Sequence, residues 1–261
     1  MTTGTASVLR ANGSCIHILH GAAAMTFYPT LVATHASIGV LALAAFWSAA
    51  FLRKGSPLHR RAGQSYLLAM TGIVATGLPM AVYAWLVRGQ PVTGAFLAYL
   101  LVITGTGVWI SWRAIRDRAD VAKYTGPVYA AFAWLSLVSG IAVLALGLRV
   151  DAPLLTGFSL VGLFTGVDML RKRRHRERLA AQPRWWLVEH YTGMIGNGIA
   201  THIAFLGIGL PRLLPAIDGT VLHYSAWFGP LFVAVAVKLV MDRRWKPRRM
   251  DIAANAAAIA R

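Results

Sequence analysis

The sequence predicts an all-α integral membrane protein, a bundle of about seven transmembrane helices. Three observations predict it. Of the 261 residues, 57% are hydrophobic and only 13% are charged, whereas a soluble domain carries roughly 25% charged residues. Apolar segments close to the ~20 residues that span a bilayer follow one another with short polar gaps. Lysines and arginines fall in every second gap, the pattern that sets membrane orientation.

The apolar segments predict helices over 28–52, 57–88, 92–113, 127–148, 152–170, 183–209 and 224–242. Lipid offers no partner to a bare amide, so each segment must bond its own backbone as a helix. Ser56-Pro57 reads as an N-cap followed by proline at the first helical position, and Pro183 reads in the same way for the sixth helix. Pro79 falls inside the second helix, where the missing amide predicts a kink. Gly162-x-x-x-Gly166 on the fifth helix, and Gly193, Gly196 and Gly198 on the sixth, predict close helix contacts.

Charge gives the bundle a direction. Arg53, Lys54, Arg60 and Arg61 follow the first helix, and Arg113, Arg116, Arg118 and Lys123 follow the third. Arg171, Lys172, Arg173, Arg174, Arg176, Arg178 and Arg184 lie between the fifth and sixth. Lys238, Arg243, Arg244, Lys246, Arg248, Arg249 and Arg261 close the chain. These 22 oppose only four on the other side, Arg10, Arg88, Arg149 and Arg212. The split predicts an N-terminus outside, a cytoplasmic C-terminus and an odd helix count. The net charge of +17 is thereby accounted for without nucleic acid as a partner.

One transmembrane domain, 28–242, is expected, with a basic cytoplasmic tail over 243–261. Residues 1–27 read either as an N-terminal arm or as an over-long start, since Met25 opens a natural beginning. Cys15, His17 and His20 would be metal ligands if the arm is real. Cys15 is the only cysteine, which excludes a disulfide framework and a thiolate cluster. No hydrolase triad, phosphate loop or complete zinc motif is present.

Ionisable side chains are costly within a membrane, so each raises a functional hypothesis beside a plain hydrogen bond to a neighbouring helix. His35 and His202 each fall about seven residues from the outer end of their predicted helix, ~10 Å below the outer surface. His59 and His190 fall near the cytoplasmic boundary. Neutral imidazole ligates haem iron, copper and zinc. Two imidazoles from facing helices would clamp a haem b with both axial positions filled, a centre for electron transfer. Two such centres, His35 with His202 and His59 with His190, would carry electrons across the bilayer. Gly39 and Gly63, each one turn after a histidine, leave room for a flat macrocycle or a neighbouring helix. Against a pair of centres, His190 and His202 are twelve residues apart, ~18 Å and ~120° around one helix. Asn197 and Thr201 align better with His190 than His202 does.

Among the acids, Asp168 is expected to pair with Arg171, and Glu189 with Arg184 or with an imidazole of another helix. Trp185, Trp186, Tyr224 and Trp227 read as interfacial anchors, and His175 and His223 as solvated.

Three stretches carry a family resemblance: Thr34 to Leu52, the run Pro57-Leu58-His59-Arg60-Arg61-Ala62-Gly63-Gln64-Ser65-Tyr66, and the run from Glu189 to Phe205. Together they resemble a bacterial family of membrane proteins known as domain of unknown function 2306. That resemblance implies a multi-helix bundle with histidines near helix ends, and no activity. More loosely, a histidine in one helix followed by a basic loop and a His-Arg pair is similar to the four-histidine transmembrane cytochromes b, with His35, His59, His190 and His202 matching. The expectation is thus a membrane oxidoreductase component with one or two haems, using a quinone or a soluble electron donor. The alternative is a non-redox transporter or accessory subunit whose histidines handle protons, copper or zinc, or bind no cofactor.

Overall fold

The computed structural model describes the backbone of residues 5–213 and 219–245, and the side chains of 27–211 and 219–245. Cys15, His17, His20, Arg10 and Arg212, and the tail beyond Trp245, lie outside the described side chains. Every regular element among the described residues is helical.

α1 runs over Thr5–Phe51, and its Phe27–Phe51 part is apolar enough to cross a membrane. α2 is Pro57–Val82 and widens into a π-helical turn at Tyr83–Val87. α3 is Pro91–Arg116, followed by the short α4, Val121–Tyr124. α5 is Pro127–Arg149 and α6 is Pro153–Arg174. A short α7, Arg176–Ala180, leads to α8, Trp185–Ile203, which continues through a π-helical Ala204–Gly209 into α9, Leu210–Leu213. α10 is Thr220–Trp245. α2, α3, α5 and α6 each begin on proline, whose fixed φ suits the first helical turn and whose missing N–H would have had no partner there.

Six helices among the described residues are long and apolar enough to span a membrane. The rod formed by α8, its π turn and α9 is on the order of 40 Å long by its rise per residue, but Glu189, His190, Asn197 and His202 make it more polar. Leu68, Leu86, Phe164 and Phe232 are each more than 70% exposed. Such a surface suits lipid and not water. The protein is a multi-pass membrane bundle.

The core has a simple plan. α1 packs on α2, α2 on α3, α3 on α8 and α8 on α1, so four helices form a ring in which α2 and α8 are diagonal. α5 and α6 form a tight hairpin against α3, and α10 lies against α8. The glycines of α6 make that hairpin possible. A Cβ on Gly162 would lie 2.8 Å from the Ser136 carbonyl, and one on Gly166 would lie 2.8 Å from the Ala133 carbonyl. Gly162 also admits Tyr99 from α3. The Tyr99 hydroxyl donates to the Phe158 carbonyl at 2.6 Å and accepts from the Gly162 amide at 2.8 Å. It thus bridges an i,i+4 pair of α6 and leaves neither buried group unpaired.

Several expectations are corrected. Pro183 does not open the sixth long helix. α8 starts at Trp185, after Arg184 in the left-handed region at φ 58°. Trp185 and Trp227 are buried core residues, each 6% exposed, because neighbouring aromatic rings enclose them. Asp168 pairs with Lys172, one full turn away, and not with Arg171.

Candidate functional site

The site is built at the end of the ring that carries the basic loops. Ser56 caps α2, its hydroxyl accepting from the amide of His59 at 3.1 Å. That fixes His59 in the first turn, where its Nδ1 meets the Ala49 carbonyl of α1 at 3.0 Å. On α8, Nδ1 of His190 meets the Ser111 carbonyl of α3 at 2.9 Å. Gly193 lets α8 come that close, since a Cβ there would strike the Gly107 carbonyl at 2.9 Å.

These contacts fix the tautomers. A carbonyl can only accept, so Nδ1 of His59 and of His190 carries the hydrogen and the lone pair sits on Nε2. His202 is the same, with Nδ1 donating to the Gly198 carbonyl at 2.7 Å. At His35 the Nδ1 partner is the Thr76 hydroxyl at 2.8 Å. That hydroxyl already donates to the Gly72 carbonyl at 2.7 Å, so it accepts from His35. In all four imidazoles Nδ1–H is tied to a carbonyl or hydroxyl, which leaves the lone pair of the neutral form on Nε2. This is the arrangement that orients metal-binding histidines.

His59 and His190 stand on the diagonal helices, both on the basic-loop side of the Tyr66–Thr201 contact, with His59 anchored to α1 and His190 to α3. Above them the same two faces meet. The Tyr66 hydroxyl pairs with Thr201 at 2.9 Å, and Met194 packs on the cluster of Ala42, Tyr66, Leu67 and Met70. Gly63 shares the face of His59, and a Cβ on it would meet nothing within 4 Å. Arg60, next to His59, is exposed at the basic rim.

His35 and His202 do not come together. His202 is held edge-on by Phe46 and Trp47 of α1, with ring centroids 5.4 and 5.5 Å away. Those residues lie eleven and twelve positions from His35, roughly 17 Å along the axis. The sixth long helix continues through Leu213, four residues past the expected end at 209, which accounts for only about 6 Å of that separation. Gly39 lies against Ile73 of α2 at 3.8 Å, an ordinary helix contact. The ~120° offset between His190 and His202 stands, since they face α3 and α1 respectively.

Glu189 is 3% exposed and does not touch an imidazole or Arg184. It accepts from Lys172 at 2.6 Å and from the Tyr124 hydroxyl at 3.0 Å. Burial, and then the neighbouring carboxylate, push the Tyr124 phenol well above its ordinary range, so it remains a donor. This network ties α4, α6 and α8 together beneath the site. Asn197 is 1% exposed and rests in the notch left by Gly107, where its Oδ1 is 2.8 Å from the position of a Cβ. Among the described residues its Nδ2 has no hydrogen-bond partner. Sequence reasoning missed Ala49 and Ser111, because a backbone carbonyl leaves no mark in side-chain chemistry.

Among the described residues no three of His, Cys, Asp and Glu converge as a metal-ligand set. A zinc centre needs at least three protein ligands, while an axially clamped haem needs two. The donor set at His59 and His190 fits the two-ligand case, and the outer histidines do not form a second such pair. No family model, curated protein or solved structure matches this chain.

Proposed function

We propose that the protein passes electrons at a bacterial inner membrane through a single haem b ligated by Nε2 of His59 and His190. It would be a component of a membrane oxidoreductase, seven-pass, with the N-terminus outside and the basic end in the cytoplasm. The observation that carries this reading is the matched pair of imidazoles on diagonal helices, each tied through Nδ1 to a carbonyl and each offering Nε2.

When bound, haem b accepts and releases one electron. The rest is done by the chain. The Ala49 and Ser111 carbonyls hold the rings in orientation and enrich Nε2 as a donor. Gly63, one turn from His59, adds no side chain that would crowd that face. Tyr66, Leu67, Met70 and Met194 keep water out above the site, which lowers the cost of reorganisation around a changing charge. The 22-to-4 split of basic residues supports the orientation. A site at the basic end is reached by a soluble donor from that side or by a quinone from the adjoining lipid.

The test is the reduced-minus-oxidised absorption spectrum of protein purified in detergent after expression with ample haem. The wild type, His35→Ala and His202→Ala are expected to show haem b bands. His59→Ala and His190→Ala are expected to lose them. Absence of the bands from the folded wild type would sink the reading in favour of a non-redox role for the histidines.

A further inference from the structure

We infer that Lys54 raises the electron affinity of the site at His59, acting through the Ala49 carbonyl that the two side chains share. The inference rests on the proposed ligation of haem by His59.

The last carbonyls of a helix lack partners within it. α1 ends at Phe51, and Lys54 folds back from the following turn to cap it. Its ammonium donates to the Ala49 carbonyl at 2.9 Å and to the Ala50 carbonyl at 2.6 Å. The Ala49 carbonyl also takes the Nδ1 hydrogen of His59 at 3.0 Å. One oxygen thus serves a cation and an imidazole through its two lone pairs. Electron density drawn toward the ammonium is not available to the imidazole.

Two effects follow, with one sign. A weaker Nδ1–H···O bond leaves the imidazole less imidazolate-like, and a less basic ligand would favour the reduced form of the haem it holds. The ammonium's charge also favours whichever state carries one positive charge fewer. Both raise the affinity for an electron. Arg53 is adjacent in sequence and exposed, and its charge reaches the site only through screened solvent.

The measurement is an equilibrium redox titration of the detergent-purified, haem-loaded full chain. Lys54→Met is expected to lower the equilibrium constant for reduction about tenfold, which is ~59 mV for one electron. Lys54→Gln is expected to shift it in the same direction and stands in should Lys54→Met not fold. Lys54→Arg is expected to restore the wild-type value, and Arg53→Met to leave it unchanged. A second readout needs no haem. In apo protein labelled at histidine, the Nδ1 proton of His59 should move downfield in Lys54→Met as its hydrogen bond strengthens. A haem-loaded Lys54→Met with an unchanged or higher potential overturns the inference and leaves the ligation standing. So does a folded Lys54→Met that binds no haem, because a tuning charge is not needed for ligation. A wild type that binds no haem overturns both.

Discussion

The carboxylate of Glu189 has 4% of its side chain exposed, and one lysine serves both it and Asp168. Removing one partner of a buried pair costs more than the pair contributes, because a charge is left in a poor solvent. Lys172 is itself 26% exposed, so solvent relieves part of that cost. Lys172→Met is therefore expected to destabilise the detergent-solubilised protein by about 1–3 kcal/mol, read as a lower midpoint of thermal unfolding. Adding Glu189→Gln should recover part of the loss, and a double-mutant cycle isolates the coupling. The sequence placed Glu189 beside the candidate site but not its partner. Local spacing offers Arg184 or a nearby imidazole, whereas Lys172 comes from α6, seventeen positions earlier. Trp227 departs from its expected interfacial place for the same reason. Tryptophan near a helix end suits the interface, and only the rings of Phe96 and Phe158 make this one core.

At the scale of elements, glycine does two different jobs. In the α5–α6 hairpin it is contact. Gly166 would bring a Cβ to 2.7 Å from the Leu137 amide as well as to the Ala133 carbonyl. Gly166→Leu is expected to force the hairpin apart at about 1–3 kcal/mol, seen as loss of thermal stability or of folded yield. In α2, by contrast, Gly63 faces open space. Gly63→Leu should fold with wild-type stability and yet bind less haem, measured as the haem-to-protein ratio. Equal occupancy would argue that the space beside His59 is not used. The contact role was legible in Gly162-x-x-x-Gly166. The spacing rule could not distinguish an open glycine from a packed one. Nor could it show that the rod begun by α8 continues past 209, because Pro211 and Arg212 read as a helix end. That extra length accounts for about 6 Å of the distance between His202 and His35.

For the whole molecule, hydropathy made the fold legible. Apolar runs of membrane length have few alternatives to helices, and the segments expected over 57–88 and 127–148 match observed ones to within a residue or so. Packing order was not legible, because nothing in a lipid-facing sequence states that α2 and α8 are diagonal. The basic loops do gather at one end, as shown by the contacts of Tyr124 with Glu189, Tyr191 with Asp242 and Arg184 with Trp245. Orientation can be tested in sealed vesicles of known sidedness. In a Cys15→Ser background, cysteine at Arg118 is expected to react with an impermeant thiol reagent only from the cytoplasmic side. Cysteine at Asp151 should react only from the opposite side. The reverse pattern would overturn the assigned direction.

The hydrogen-bond frame of the four histidines has one more consequence. In each ring the nitrogen that anchors the side chain to its neighbour already bears its proton, and an imidazolium keeps that proton. A proton arriving from solution can land only on the other nitrogen. Whatever occupies that nitrogen can do so while every anchor stays in place. The rings would act as hinged plates bolted on one edge, able to gain or lose a passenger on the free edge without the surrounding helices having to rearrange.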